Sequence, residues 1–212
     1  MYMPTHFEET RPEVLHRLVA AHPLATWVVQ GGAGLLVNHI PFLLDANRGP
    51  HGTLVGHVAR ANPVWQSLGS SVAVFQGAQA YVSPSWYPSK RAHGKVVPTW
   101  NYAVVHAHGT PRAIESRDEL LAIVTRLTLT QEAGSAVPWA VTDAPPDFIE
   151  QMLKAIVGIE IPVERWVGKW KVSQNRSAPD RLGTVAGLQQ RADAQSLAMA
   201  ALVPTEAIKA PD

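Results

Sequence analysis

Asn38 and His39 interrupt the apolar run "LLVNHIPFLL" (residues 35–44), the first place where this chain offers polar groups that could do chemistry. A polar pair inside an apolar strand is costly unless it bonds something, either neighbouring backbone or a ligand with a polar edge. Pro41 removes one ladder donor, so this side of the strand is an edge, a bulge or a ligand face. A second set lies in "GHVARANPVW" (residues 56–65), where a strand carrying His57 and Arg60 runs into a helix start at Asn62 and Pro63. Free N–H groups, a positive dipole and a fixed guanidinium there would suit a phosphate. The alternative is a satisfied strand histidine and a solvated rim arginine.

The densest candidate is "SPSWYPSKRAHGKVVPTWNY" (residues 83–102), which places Trp86, Tyr87, Trp100 and Tyr102 among Lys90, Arg91 and Lys95, with Pro84, Pro88 and Pro98 between them. The prolines predict a loop without regular structure whose aromatic groups are held ready for a flat anionic partner. The same composition also suits core plugs flanking surface charge, or a single-stranded nucleic-acid platform. "GKWKVSQNR" (residues 168–176) puts Lys169, Lys171 and Ser173 on one face of a strand, all able to donate to phosphate or carbonyl oxygen. His106 and His108, two apart in a strand, have the spacing of a metal arm, but no third ligand is evident and packing or ligand contact is preferred. No G-x-S-x-G elbow accompanies the serines, and no dinucleotide fingerprint or P-loop is present.

Charge is uneven along the chain. The net charge of +1 marks no general polyanion binder, yet no acid occurs between Asp45 and Glu115, a stretch holding Arg48, Arg60, Lys90, Arg91, Lys95 and Arg112. A second basic segment runs from Arg165 to Arg181, with Asp180 its single acid. Such stretches suit an anionic ligand unless acids elsewhere fold back onto them. Cysteine is absent, which excludes disulfides, thiolate metal sites and cysteine nucleophiles. The start lacks a secretory pattern and no run reaches the roughly 18 apolar residues of a membrane span; a cytoplasmic protein is expected.

The elements that must position these groups are mostly strands. Thr10 to Glu13 opens a capped helix that stops at Pro23; then "ATWVVQ", "GLLVNHIPFLL", "GTLVGHV", "SSVAVFQG" and "QAYVS" read as an antiparallel meander punctuated by glycine turns. "WNYAVVHAHGTPRAI" supplies one or two more strands. Ser116 with Glu119 predicts a capping box, and Phe148, Ile149, Met152, Leu153 and Ile156 predict the stripe of a further helix. Ile159, Ile161 and Val163 should face the core, with Glu160, Pro162 and Glu164 outside. The chain from Asp180 reads as helical, its last ten residues as loosely held. The pattern is mainly β with peripheral helices, an antiparallel barrel without βαβ rhythm. One domain over 1–188 is expected, with a helical or loosely ordered tail over 189–212.

"MYMPTHFEE", "HPLATWV", "NHIPFLL", "GHVARANPVW", "YVSPSWYPSK", "VVPTWNYAVVHAHG", "AIVGIEI" and "KVSQNR", in that order, strongly resemble the PaiB-like FMN-binding negative transcriptional regulators. The resemblance implies a split β-barrel similar to pyridoxamine phosphate oxidase, a homodimer with FMN at the subunit interface. It implies that the strand bearing Asn38, His39, Ile40 and Pro41 runs along the isoalloxazine, and that His57, Val58, Ala59, Arg60 and Asn62 meet ribityl and phosphate. Trp86, Lys90, Trp100, Asn101, Lys169, Ser173, Gln174 and Asn175 would complete the cleft, some from the other subunit. It names no catalytic residue. A repressor needs a DNA-binding element, yet neither late helix carries a basic recognition face. The alternatives are a flavin-dependent oxidoreductase with an unidentified small substrate, and a haem-binding split barrel.

Overall fold

A computed structural model describes residues 1–206. The elements follow in order: β1 (Glu8–Glu9), α1 (Pro12–Ala21), β2 (Leu24–Gly31), β3 (Gly34–Pro41), β4 (Leu43–Asp45), β5 (Thr53–Ala59), β6 (Ser71–Val82), α2 (Pro88–His93), β7 (Thr99–Gly109), β8 (Arg112–Ile114), α3 (Arg117–Glu132), α4 (Pro146–Lys154), β9 (Ile156–Pro162), β10 (Arg165–Lys171), α5 (Ala178–Arg191) and α6 (Ala194–Leu202). Among the described residues, no helix is long and apolar enough to cross a membrane.

The meander is present with two changes. β6 is one strand where "SSVAVFQG" and "QAYVS" predict two; at Gly77 and Ala78 the alternation slips, both being buried in succession, and the chain carries on. Pro41 ends β3, so the apolar run from Leu35 to Leu44 is broken into β3 and β4 at the fully buried Phe42.

Backbone contacts divide the chain into two compact units, and the long strands β6 and β7 pass through both. The first unit holds Met1–Leu18, Gln76–Val105 and the chain from Val167 onward. Its strands are ordered β1-β10-β7-β6, with Glu8 opposite Lys169 and Glu9 opposite Gly168. Helices α5 and α6 close a core of Ala78, Ala80, Val172, Leu188, Met199 and Val203. Val203, the first of the ten residues expected to be loosely held, is buried in this core, while residues 207–212 lie outside the described residues.

The second unit holds Val19–Phe75 and His106–Trp166. Here β2 pairs antiparallel with both β3 and β6, and a second antiparallel sheet has the order β4-β5-β9-β8. Trp27, Phe42, Leu54, Phe75, Ile159 and Ile161 are among its fully buried large side chains. Helix α3 covers the second sheet through Ile123 and Leu127, which meet Val55 and Ile114. Ser116 occupies the cap of α3, but its side chain makes no capping hydrogen bond. α4 ends at Lys154, so Ile156 belongs to β9 and not to the helical stripe.

Glu160 departs from the expected alternation. It is buried directly opposite Val55 and ion-paired to Arg48 at 2.5 Å and Arg112 at 2.7 Å. An interior strand with both faces covered has no outside for a carboxylate, and two guanidiniums supply what water would have supplied.

Candidate functional site

The candidate residues fall into two groups, one in each unit. In the second unit, β3 turns Leu35, Val37, His39 and Pro41 outward, while Asn38 and Ile40 share the inward face. Asn38 lies across from the buried Trp27, and its Oδ1 accepts a 2.7 Å hydrogen bond from Nδ2 of Asn62. Asn62 in turn caps a short 3-10 turn, Pro63–Gln66, accepting from the Val64 N–H at 3.0 Å. A neighbouring side chain thus satisfies the polar group in the apolar strand, and the Asn38 amide nitrogen is left to donate elsewhere.

Arg60 is committed to the protein. Nε donates to the Lys154 carbonyl at 2.9 Å, one terminal nitrogen to Glu115 Oε2 at 2.8 Å and the other to the Ile156 carbonyl at 3.2 Å. Its guanidinium also stands 5.7 Å from the Trp65 ring centre, so a phosphate here would share Arg60 with an existing carboxylate. Val58 is buried and Ala59 exposed, which leaves mainly backbone to offer from this strand end. His57 points to the helix-covered face of β5. Its Nδ1 is buried without a partner among the described residues, and burial lowers its pKa below the ordinary histidine range.

In the first unit, the proline-rich segment is not an irregular loop. Ser83 caps a 3-10 turn, Pro84–Trp86, and α2 follows with Pro88 at its first turn, because proline is accommodated where a helix N-terminus has spare N–H groups. Trp86 is packed onto α5: a Cβ on Gly187 would lie 2.2 Å from its Cδ2, and one on Gly183 would lie 2.1 Å from its carbonyl oxygen. Tyr87 is buried, with the Arg176 guanidinium 5.1 Å from its ring centre. The buried Asp180 carboxylate accepts from the Ser89 N–H at 3.1 Å and hydroxyl at 2.8 Å, tying α2 to α5. Burial would raise the pKa of Asp180; the Ser89 bonds outweigh it and hold the carboxyl below its ordinary range.

Other members are buried as well. Asn101 donates to Ser173 Oγ at 2.8 Å, and its own Oδ1 has no partner among the described residues. Ser173 sits at φ 65°, a left-handed conformation uncommon for a residue with a side chain. Lys169 donates to the Tyr2 carbonyl at 3.0 Å and lies 5.4 Å from the Tyr102 ring centre. Gln174 accepts from the Val172 N–H at 2.8 Å and donates to the carbonyls of His6 and Trp170, folding the strand end back on itself. Asn175 is exposed.

What remains open in this unit is compact in its chemistry. Trp100 is 50% exposed, with its indole N–H on Gln79 Oε1 at 3.1 Å and its ring edge-on to Tyr81 at 6.2 Å. Tyr81 and Gln79 were not singled out by sequence; the slip at Gly77 and Ala78 puts them on this face. Lys171 donates to the Trp100 carbonyl at 2.7 Å, and burial, with Lys169 and Arg176 nearby, lowers its pKa. Lys90 donates to Ser85 Oγ at 3.0 Å. Glu160 neutralises Arg48 and Arg112 and Glu115 neutralises Arg60, so among the described residues the free charge of the acid-poor stretch reduces to Lys90, Arg91 and Lys95. Among the described residues, no cluster of His, Asp and Glu is arranged to hold a metal, and the His106 and His108 rings stand 6.2 Å apart.

Antiparallel sheets with these connections, the long strand β6 that slips at Gly77 and helices added at the periphery make the fold a split β-barrel. The chain belongs to the PaiB-like family described as "Putative FMN-binding domain", whose profile matches residues 1–165. It is 31% identical over 206 residues to the Bacillus subtilis protein named protease synthase and sporulation protein PAI 2, covering 96% of each chain. An uncharacterized protein of Aspergillus fumigatus is 32% identical, over 90% of this chain and 91% of that one. Among solved structures, the FAD and heme binding protein of Mycobacterium smegmatis matches with a TM-score of 0.57 at 18% identity, covering 77% of this chain and 73% of that one. The flavocytochrome Anf3 of Azotobacter vinelandii matches with a TM-score of 0.58 at 10% identity, covering 80% and 72%.

The family's cofactor is FMN, a flat ring system on a dianionic phosphate, and the donor set of this chain suits it. In the first unit, Lys90, Arg91 and Lys95 are cations without carboxylate partners among the described residues, and Trp100 offers an exposed aromatic face.

Proposed function

We propose that the chain works as a cytoplasmic homodimer with FMN at the subunit interface, and that it acts as a flavin-dependent regulator or redox sensor. The observation that carries the reading is the outer face of the β3-β2-β6 sheet. Leu24, Leu35 and Val37 are 61%, 69% and 57% exposed. Val37 lies opposite Val28, and Val28 opposite Val72, so one apolar row crosses three strands. A contiguous apolar sheet face of this kind calls for a partner, and a second copy laid on it by a two-fold axis covers both faces at once. His39 and Pro41 continue the outward row of β3, which would bring the strand assigned to the isoalloxazine to that interface.

Within the first unit, Lys90, Arg91 and Lys95 would hold the phosphate and Trp100 would pack on a flat face of the ring. Bound flavin supplies the hydride and electron chemistry; the protein supplies position and electrostatics. The regulatory half of the reading is supported by family membership and by the name of the Bacillus subtilis relative, which refers to protease synthesis and sporulation. A DNA partner would show a steep salt dependence.

The test is an absorbance spectrum of the purified protein together with its sedimentation behaviour. Flavin bands in a species of twice the chain mass are expected. A haem Soret band, or a monomer that takes up no FMN, would overturn the reading. A DNA-contact role fails if operator and random duplex bind alike at moderate salt.

A further inference from the structure

A cavity of about 270 Å³ opens in the second unit between β5, β9, α3 and α4, and of the residues that the resemblance assigns to flavin only His57 lines it. Val124, Ile149, Met152, Leu153 and Ile156 form much of its lining, and Trp139 and Phe148 stand at its mouth, 46% and 49% exposed. Large aromatic rings left half in water beside an apolar cavity are a feature of ligand sites more than of packing faults. A cavity of about 150 Å³ lined by aliphatic and aromatic groups takes up benzene; the present one has room for a substituted ring.

The polar groups in the lining set what the ring should carry. They are the His57 imidazole, the Thr128 hydroxyl and the Trp139 indole. His57 Nδ1 is sealed from water with neither donor nor acceptor beside it among the described residues. A proton there would be an unsatisfied buried N–H, so the neutral ring carries its proton on Nε2 and has one donor to give. Apolar walls and a neutral imidazole select against a charged ligand, which would lose its hydration without a counter-charge.

We infer that this cavity is a binding site for a small neutral aromatic molecule bearing one hydrogen-bond acceptor, such as a carbonyl oxygen, which accepts from the His57 imidazole while its ring fills the space between α3, α4 and β9. The site is additional to flavin binding, and its test does not depend on it.

Acetophenone and its hydrocarbon isostere α-methylstyrene are titrated into the full-length protein, followed by the methyl resonances of Val124, Ile149, Met152 and Ile156. Saturable shifts confined to these groups are expected with acetophenone. His57→Leu should lower the ratio of acetophenone to α-methylstyrene affinity roughly tenfold, the worth of one good hydrogen bond. Val124→Phe, which fills the cavity from α3, should abolish both shifts while the far-UV circular dichroism is kept. Absence of saturable shifts in the unmodified protein with either probe overturns the site, whatever the variants do. An unchanged affinity ratio in His57→Leu overturns the assignment of the polar partner. Binding that survives in a folded Val124→Phe protein places the probes elsewhere and overturns the cavity.

Discussion

The Trp86 ring lies against Gly187, so close that a single methyl group added to the glycine would stand 2.2 Å from the indole Cδ2. Tryptophan and helix are fitted to each other, and Trp86 joins the core that Leu188 and Met199 close. Trp86→Ala should therefore cost about 3 kcal/mol, at the low end for a buried tryptophan because the ring is only partly buried. Gly187→Ala should also destabilise, since the indole must leave its seat. The double variant should cost less than the sum, because the smaller side chain makes room for the new methyl. Urea midpoints of the four proteins measure this. Full stability of Trp86→Ala with loss of flavin would instead make the indole a ligand contact.

Lys90, Arg91 and Lys95 have no carboxylate partners among the described residues, unlike Arg48, Arg60 and Arg112. A cation already neutralised adds little to a phosphate, whereas free ones add fully. Replacing Lys90, Arg91 and Lys95 by alanine should weaken FMN at least tenfold and leave riboflavin, which lacks the phosphate, nearly unchanged. Fluorescence quenching titrations with both flavins give the comparison. Equal loss of both would move the phosphate seat elsewhere in the chain.

Much of the scaffold was legible because β-branched and aromatic residues alternate between glycine turns, and that pattern carried β2, β5 and β7 directly. A Gly-Ala pair reads locally as a turn, but β6 runs straight through Gly77 and Ala78 as a strand that neighbours β7, and tertiary pairing outweighs the local preference. Glu160 was illegible for a different reason: its partners Arg48 and Arg112 are distant in sequence, and alternation alone cannot announce a buried ion pair. The role of Trp86 had a signal that went unused. "GTVAG" (residues 183–187) places two glycines one helical turn apart on α5, which opens a groove for a large side chain. The site itself was legible only as a list of residue types, because which cations remain free depends on acids that arrive from elsewhere in the fold.

Acid should loosen the second unit through its histidines. Burial first, and the adjacent His108 next, lower the His106 pKa from 6.5 to about 4; burial lowers His57 and His108 in the same direction. Between those values the unfolded chain binds more protons than the folded one, so stability is complete above the ordinary histidine pKa, falls as pH drops through it, and levels off near the folded value. His106 is partly solvated, which reduces its share to about 1 kcal/mol. His106→Asn should flatten the slope between pH 6.5 and 4 in urea melts. A slope unchanged in that variant would assign the acid sensitivity to other groups.

Val37 stands opposite Val28 at the centre of the exposed apolar row, and a two-fold partner would bury two copies of it near one another. In a monomer, Val37→Asp is an exposed polar substitution on an edge strand, expected to shift stability by no more than about 0.5 kcal/mol. In a dimer it places two unpaired carboxylates in an apolar interface, each costing several kcal/mol in lost hydration. The variant should therefore sediment as a folded monomer and release FMN, while the isosteric Val37→Thr stays dimeric with weaker association. Flavin loss with the dimer intact would separate cofactor binding from assembly. A Val37→Asp protein still dimeric at micromolar concentration would remove this face from the interface.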